Sequence, residues 1–307
     1  MEKHSALNLL LPIILLLALA ATGAGVFWQP GYSPFSFTTL HGETVQIAGG
    51  SLYAHDTLFT AAASRGTDIV TLFVGLPLLI VSFLLYRRGS LRGGLLLAGA
   101  LAYLLYYGAS LGLATAYNPM FLVYLGLFSA SFFALVLILT SIDLNALPGR
   151  FSHHLSRGGI AIFMFVAGLG TGFIWLSDAV SALVANRAPA ALGPYTTLVT
   201  YTLDVGIIMP AALMAGILLL RRSGLGYLLS AVLTMMLTLV GAMVIMQTVV
   251  QLSAGILFSP GELIGKVGSW IILGLVALGL TVAFMRSISD TDEHGSTNKS
   301  SGLWSKK

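Results

Sequence analysis

Three aspartates, Asp68, Asp178 and Asp204, fall inside or at the ends of long apolar runs, and two arginines, Arg65 and Arg187, stand close to them in the chain. A charged side chain at the centre of a membrane helix costs about 2.5–3.5 kcal/mol, so such residues mark ligand sites, proton relays or mutual pairs. Asp204 is the deepest of the three, expected about seven residues from the outer end of its helix, roughly 10 Å in at 1.5 Å per residue. Thr197, Thr200 and Tyr201 stand seven, four and three positions before it and extend one polar stripe from Asp204 toward the outer surface. Below it the same face continues as Ile207 and Ile208. That pattern describes an outward-facing cleft rather than a continuous pore. Gln247, in the outer half of another run, is placed to join the cleft.

The same five charges admit a second reading. Arg65 stands three positions before Asp68, the spacing of a local ion pair, and Arg187 is placed to neutralise Asp178 or Asp204. The cluster then locks helix ends instead of binding anything. The residue types leave both readings open.

Other chemistries lack their residues. The chain has no cysteine, which removes disulfides, thiolate nucleophiles and iron–sulfur clusters together. Its histidines, His4, His41, His55, His153, His154 and His294, all fall in loops or tails, so an intramembrane bis-histidine haem has no ligands. No HExxH helix occurs, and no lysine lies within an apolar run to carry a Schiff base. His153 and His154 with Asp143 match no metal-ligand spacing and read as a solvated basic loop, while His41, Glu43, His55 and Asp56 in the outer loop are a minor alternative as an outer metal site. No catalytic, cofactor or metal set is assigned.

The elements that must position the aspartates follow from composition. The sequence is 57% hydrophobic and only 8% charged over 307 residues, against about 25% charged in a soluble domain. A spanning helix needs about 20 apolar residues. Eight runs qualify, at about 6–28, 68–86, 94–116, 120–140, 158–183, 197–220, 226–250 and 268–285. The expected fold is an all-α integral membrane protein, a bundle of about eight transmembrane helices occupying residues 1–286, and its partner is the lipid bilayer.

With both termini cytoplasmic, twelve of the 15 basic residues lie inside, among them Arg87, Arg88, Arg92, Arg150, Arg157, Arg221, Arg222 and Arg286, and only Arg65, Arg187 and Lys266 lie outside. This is the positive-inside pattern. The net charge of +4 is therefore a record of orientation and not a nucleic-acid footprint. Trp28, Trp175 and Trp270 fall near outer helix ends, where interfacial aromatics sit. Tyr103, Tyr107 and Ser110 share one face of the third run with Tyr106 beside it, and are expected to bond to a neighbouring helix. Gly108 with Gly112, and Gly168 with Gly172, have the spacing of close helix packing.

Outside the runs, residues 29–67 form the one sizeable loop. FTTL, TVQI and SLY are short β-prone stretches between glycines, read as a small β-ribbon cap followed by a short helix near 56–64. Residues 287–307 are polar and read as a disordered cytoplasmic tail. The first run also resembles a signal peptide, with Ala18-Leu19-Ala20 as a cleavage site, but its apolar stretch continues to Phe27, which suits a retained helix.

The second and sixth runs share a plan. Each has an aspartate near the outer end (Asp68, Asp204), an internal proline (Pro77, Pro210) and a double arginine at the inner end, 19 and 17 positions after the aspartate. This describes a 4+4 parallel repeat of the sort transporters use.

The stretch SRGTDIVTLFVGLPLLIVSFLLYRRGSLRGGLLLAGALAYLLYY, with YNPMFLVYLGLFSASFFALVL after it, resembles uncharacterised polytopic membrane proteins of prokaryotes. The resemblance covers the second to fourth runs, with a fainter echo in LDVGIIMPAALMAGILLLRR. It implies a prokaryotic inner membrane and carries no activity or residue role. The functional expectation is a transporter or permease-like protein holding a small solute or ion at Asp204, Asp178, Asp68, Arg65, Arg187, Tyr201, Thr200 and Gln247. The alternatives are a non-catalytic sensor, assembly or accessory subunit, and a membrane enzyme working on a lipid-linked substrate at the outer face.

Overall fold

The structure, a computed structural model, describes residues 4–29, 31–189 and 191–289. Among the described residues eight helices are long and apolar enough to cross a membrane. They are α1 (Ser5–Phe27), α2 (Leu58–Arg87), α3 (Leu91–Ala114), α4 (Phe121–Thr140), α5 (Arg157–Val184), α6 (Tyr201–Leu220), α7 (Gly224–Ser253) and α8 (Pro260–Ser287). The chain is a multi-pass membrane protein built as an all-α bundle. The tail expected at 287–307 lies, from residue 290 onward, outside the described residues.

Between α1 and α2 runs a two-stranded antiparallel ribbon, β1 (Phe35–Thr38) with β2 (Thr44–Ile47), in the register Phe35 to Ile47 and Thr38 to Thr44. It defines the ribbon end of the bundle. The opposite end carries the double arginines.

Two helices form the centre. About 72% of the apolar stretch of α3 and of α7 is buried, against 22–44% for the other six. α3 packs on α2, α4 and α7, while α7 packs on α2, α6 and α8. α1 closes one flank on α4 and α2, and α5 packs on α6 at the other. α7 and α8 approach closely at a pair of glycines. A Cβ built on Gly241 would stand 2.4 Å from Gly274 Cα, so these two backbones touch and neither position tolerates a side chain. Gly168 and Gly172 lie against Met209 and Ala212 of α6, and Gly108 lies against Phe128 of α4.

Two helices begin earlier than their apolar runs. α2 starts at Leu58, capped by the Thr57 side chain accepting from Thr60 N at 3.2 Å, not at 68. There is no separate helix over 56–64. The short helix expected over 56–64 runs unbroken into the span expected from 68, because Ser64, Thr67 and Asp68 are all buried in the bundle and their polarity does not end the helix. α8 starts at Pro260 behind a Ser259–Glu262 capping box rather than at 268.

The spans that carry Pro77 and Pro210 are locally underwound. Thr71–Gly75 in α2 and Tyr201–Ile208 in α6 are π-helical, and Pro77 and Pro210 follow within two residues. A proline removes one backbone donor and crowds the carbonyl four residues back, and a wider turn relieves both effects. The arginine end is tied by Arg92, which donates to Ile288 O at 2.6 Å, and by Arg157, which donates to the Tyr227 hydroxyl. The Tyr227 ring stacks on Phe151 at 4.8 Å.

Candidate functional site

A cavity of about 380 Å³ lies between α2, α3, α6, α7 and α8. Along α7 its wall runs from Gln251 to Met236, about 22 Å at 1.5 Å per residue. It therefore reaches from the ribbon end to the middle of the bundle. Its mouth includes exposed Glu262, and its floor is Ile208, Met236 and Leu237. The wall surface is mostly apolar and aromatic, and its polar points include Asp204, Thr200, Gln247, Gln251, Thr248 and Ser110.

Asp204 is buried in the first turns of α6, at the cavity wall. Its Oδ2 accepts a hydrogen bond from the Trp175 indole Nε1 of α5 at 2.9 Å. The Tyr106 phenol of α3 stands against the same carboxylate and also lines the cavity. Among the described residues no cation reaches it. Helical structure begins only at residue 199, so Thr197 belongs to the loop and Asp204 is nearer the helix start than seven residues. The π-winding also breaks the expected stripe. Thr200 faces the cavity, whereas the Tyr201 hydroxyl turns to Asp178 Oδ2 at 2.5 Å.

Asp68 has a different environment. It is fully buried, with Oδ2 accepting from the Tyr53 hydroxyl at 2.7 Å and Oδ1 from the Tyr107 hydroxyl at 2.6 Å. A Cβ on Gly25 of α1 would stand 1.7 Å from Asp68 Oδ2, so α1 is seated directly on this carboxylate. The expected Arg65–Asp68 pair is not formed. Arg65 Nη2 instead donates to Val26 O, 3.4 Å away in the last turn of α1, where free carbonyls attract a cation. Arg187 also meets neither aspartate. It is exposed, and its Nη1 donates to Ala188 O at 3.3 Å.

The eight candidates thus separate. Asp204, Thr200 and Gln247 line one cavity, where Gln247 Nε2 donates to Thr67 Oγ1 at 2.8 Å. Asp178 and Tyr201 pair beside it, and Tyr201 lies 5.9 Å from the Trp175 ring. Asp68 forms a separate buried knot, and the two arginines serve loop and helix ends.

Sequence reasoning missed the aromatic side of the site. Trp175 and Trp270 looked like interfacial anchors, yet both line the cavity. An indole body suits an apolar wall, and Trp175 finds a carboxylate for its N–H there. The usable signal was their position near helix ends level with Asp204, taken with the rule that a buried Trp N–H finds a partner.

A third buried carboxylate lies beside the ribbon. Asp56 is buried, and its Oδ1 accepts from Ala116 N at 2.8 Å and from the Tyr195 hydroxyl at 2.8 Å. Its Oδ2 has no hydrogen-bond partner. Burial pushes the Asp56 carboxyl above the usual carboxylate range, and the two hydrogen bonds pull it only part of the way back.

Comparison with protein-family models, with curated proteins and with solved structures finds no match to this chain.

Proposed function

We propose that this chain is a transporter or permease-like protein of a prokaryotic inner membrane that binds a small solute or ion in the cavity at Asp204. The observation that carries this reading is the cavity itself. It is large enough for a small ligand, it stops near mid-bundle, and it holds a buried carboxylate with no cationic partner among the described residues. A bundle needing only structural pairing would fill that space.

The charge pattern supports a ribbon end outside and both termini in the cytoplasm, and in that orientation the cavity faces outward. The packing supports a 4+4 parallel repeat. α3 and α7 are the paired central helices, each packed on the helix before and after it, and α2 and α6 each carry a π-turn ahead of a proline. Such discontinuities are where transporters place their sites and hinges. Counterflow of a metabolite mixture in proteoliposomes tests the reading, with Asp204→Asn as the comparison. A solute that crosses at the same rate, with the same pH dependence, in wild type and variant would sink the role given to Asp204.

A second reading, an accessory or assembly subunit, is favoured by one observation. The ribbon end exposes Tyr32, Phe35, Phe37 and Leu40, the last completely. Crosslinking and co-purification from the native membrane test it. A stoichiometric partner on the ribbon supports it, and a chain recovered alone counts against it.

A further inference from the structure

The chemistry of the cavity wall narrows what it can hold. Asp204 and Glu262 are both acidic, and none of the described residues lining the cavity is Lys, Arg or His. An anionic solute or a zwitterion would therefore bring a negative group that no cation among the described lining residues receives. A sugar would need a dense set of donors and acceptors, whereas this wall is mainly apolar. The aromatics are many and sit at several heights. Phe59 and Phe258 stand at the mouth, 6.2 Å apart edge to face, and Trp175, Tyr106 and Trp270 lie deeper. Aromatic faces attract cations, most strongly where water is excluded.

Asp204 adds the other half. Its partners are neutral N–H and O–H donors, so a carboxylate there is hydrogen-bonded but not neutralised. A buried charge without a counter-charge is costly, and an arriving cation supplies one. We infer that the ligand is a monovalent organic cation with an apolar body, its charge at Asp204 and its body on Trp175, Tyr106 and Trp270. This rests on the binding-cavity reading and names its substrate class.

The test is a binding titration of full-length protein in nanodiscs with tetraphenylphosphonium, read by quenching of tryptophan fluorescence. Two probes of one shape and opposite charge, the tetraphenylphosphonium cation and the tetraphenylborate anion, separate charge from size, and the smaller neutral triphenylphosphine oxide is the uncharged reference. The expected result is saturable quenching by the cation, with the anion and the neutral compound at least tenfold weaker. Asp204→Asn is expected to weaken the cation at least tenfold and to leave the neutral probe unchanged. Equal or tighter binding of the anion overturns the inference, as does the absence of saturable cation binding to folded wild-type protein. An Asp204→Asn chain that folds and binds the cation as wild type does also overturns it. Because the charge comparison is made on wild type, it decides the matter even if that variant does not fold. Counterflow distinguishes the two failures. Movement of some other solute without cation binding leaves the transport reading standing and removes only the cation; cation binding without movement of any solute does the reverse.

Discussion

The Tyr107 hydroxyl donates to Asp68 Oδ1 at 2.6 Å, and the same tyrosine lines the cavity in which Asp204 stands. One residue thus joins the buried knot of α1, α2 and the ribbon loop to the wall of the cavity. Asp68 holds the scaffold, while Asp204 has open space beside it. Two aspartates that occupy matching places in the sequence plan therefore differ in what their loss would do.

Asp68→Ala leaves the Tyr53 and Tyr107 phenols without their acceptor inside the bundle. Each buried unsatisfied hydroxyl costs about 1–3 kcal/mol, so the pair costs about 2–6 kcal/mol. Asp204→Ala strands only the Trp175 indole and its Tyr106 neighbour beside a cavity that can admit water. Asp68→Ala is expected to lower the apparent unfolding temperature in detergent more than Asp204→Ala does. The reverse order would remove the scaffold role assigned to Asp68.

Gly25 tests the same knot from the other side. An added methyl would stand 1.7 Å from Asp68 Oδ2 and 3.0 Å from the Tyr53 hydroxyl, far inside contact distance. Gly25→Ala is expected to destabilise strongly. In an Asp68→Ala background the space is free, so the same change costs little and the double variant is less destabilised than the sum of the singles. Residues in direct contact show coupling of about 0.5–3 kcal/mol. Additive losses would mean that α1 is not seated on this carboxylate.

The sequence exposes some of this more readily than the rest, for a physical reason. A carboxylate in an apolar run stands out because its burial is expensive, and this made Asp68 and Asp204 visible. Their partners are 15, 39 and 29 positions away, at Tyr53, Tyr107 and Trp175. Helical periodicity relates residues within one helix, so it offered Arg65 at three positions instead. Arg65 was drawn to the α1 carbonyls, which have no local signature. The Gly25–Asp68 contact has none either. The start of α2 was misplaced by the same limit: the short helix over 56–64 and the span from 68 look separate until a neighbouring helix supplies the burial of Ser64 and Thr67.

Asp56 gives a pH signature outside the spans. Burial raises its carboxyl above the ordinary range. Between the unfolded value, about 4, and the raised folded value the native state holds more protons than the unfolded chain. Stability therefore falls as pH rises across that window and levels off above it. Asp56→Asn keeps an oxygen for Ala116 N and the Tyr195 hydroxyl and removes the titration. Thermal unfolding from pH 4 upward is expected to lose this component in the variant, which should equal or exceed wild type above the window. An unchanged pH slope would exclude Asp56 as its source.

Because the chain has no cysteine, introduced thiols report on the cavity without background. Ser110 and Ser64 line it, on α3 and α2, while Ser131 on α4 is fully buried and lines no part of it. Asn145 is exposed beyond the arginine end of α4. Serine to cysteine changes little volume, so Ser110→Cys and Ser64→Cys should preserve the wall. In right-side-out vesicles a membrane-impermeant maleimide is expected to label Ser110→Cys and Ser64→Cys, to spare Ser131→Cys, and to reach Asn145→Cys only after the vesicles are opened. Protection of Ser110→Cys by tetraphenylphosphonium would place that cation in the same chamber. Labelling of Asn145→Cys in sealed vesicles would invert the orientation, and equal labelling of Ser131→Cys and Ser110→Cys would mean the thiols report general looseness of the bundle. Labelling of Ser110→Cys only from the Asn145 side would mean that the chamber opens at the arginine end, and would leave the positive-inside assignment standing.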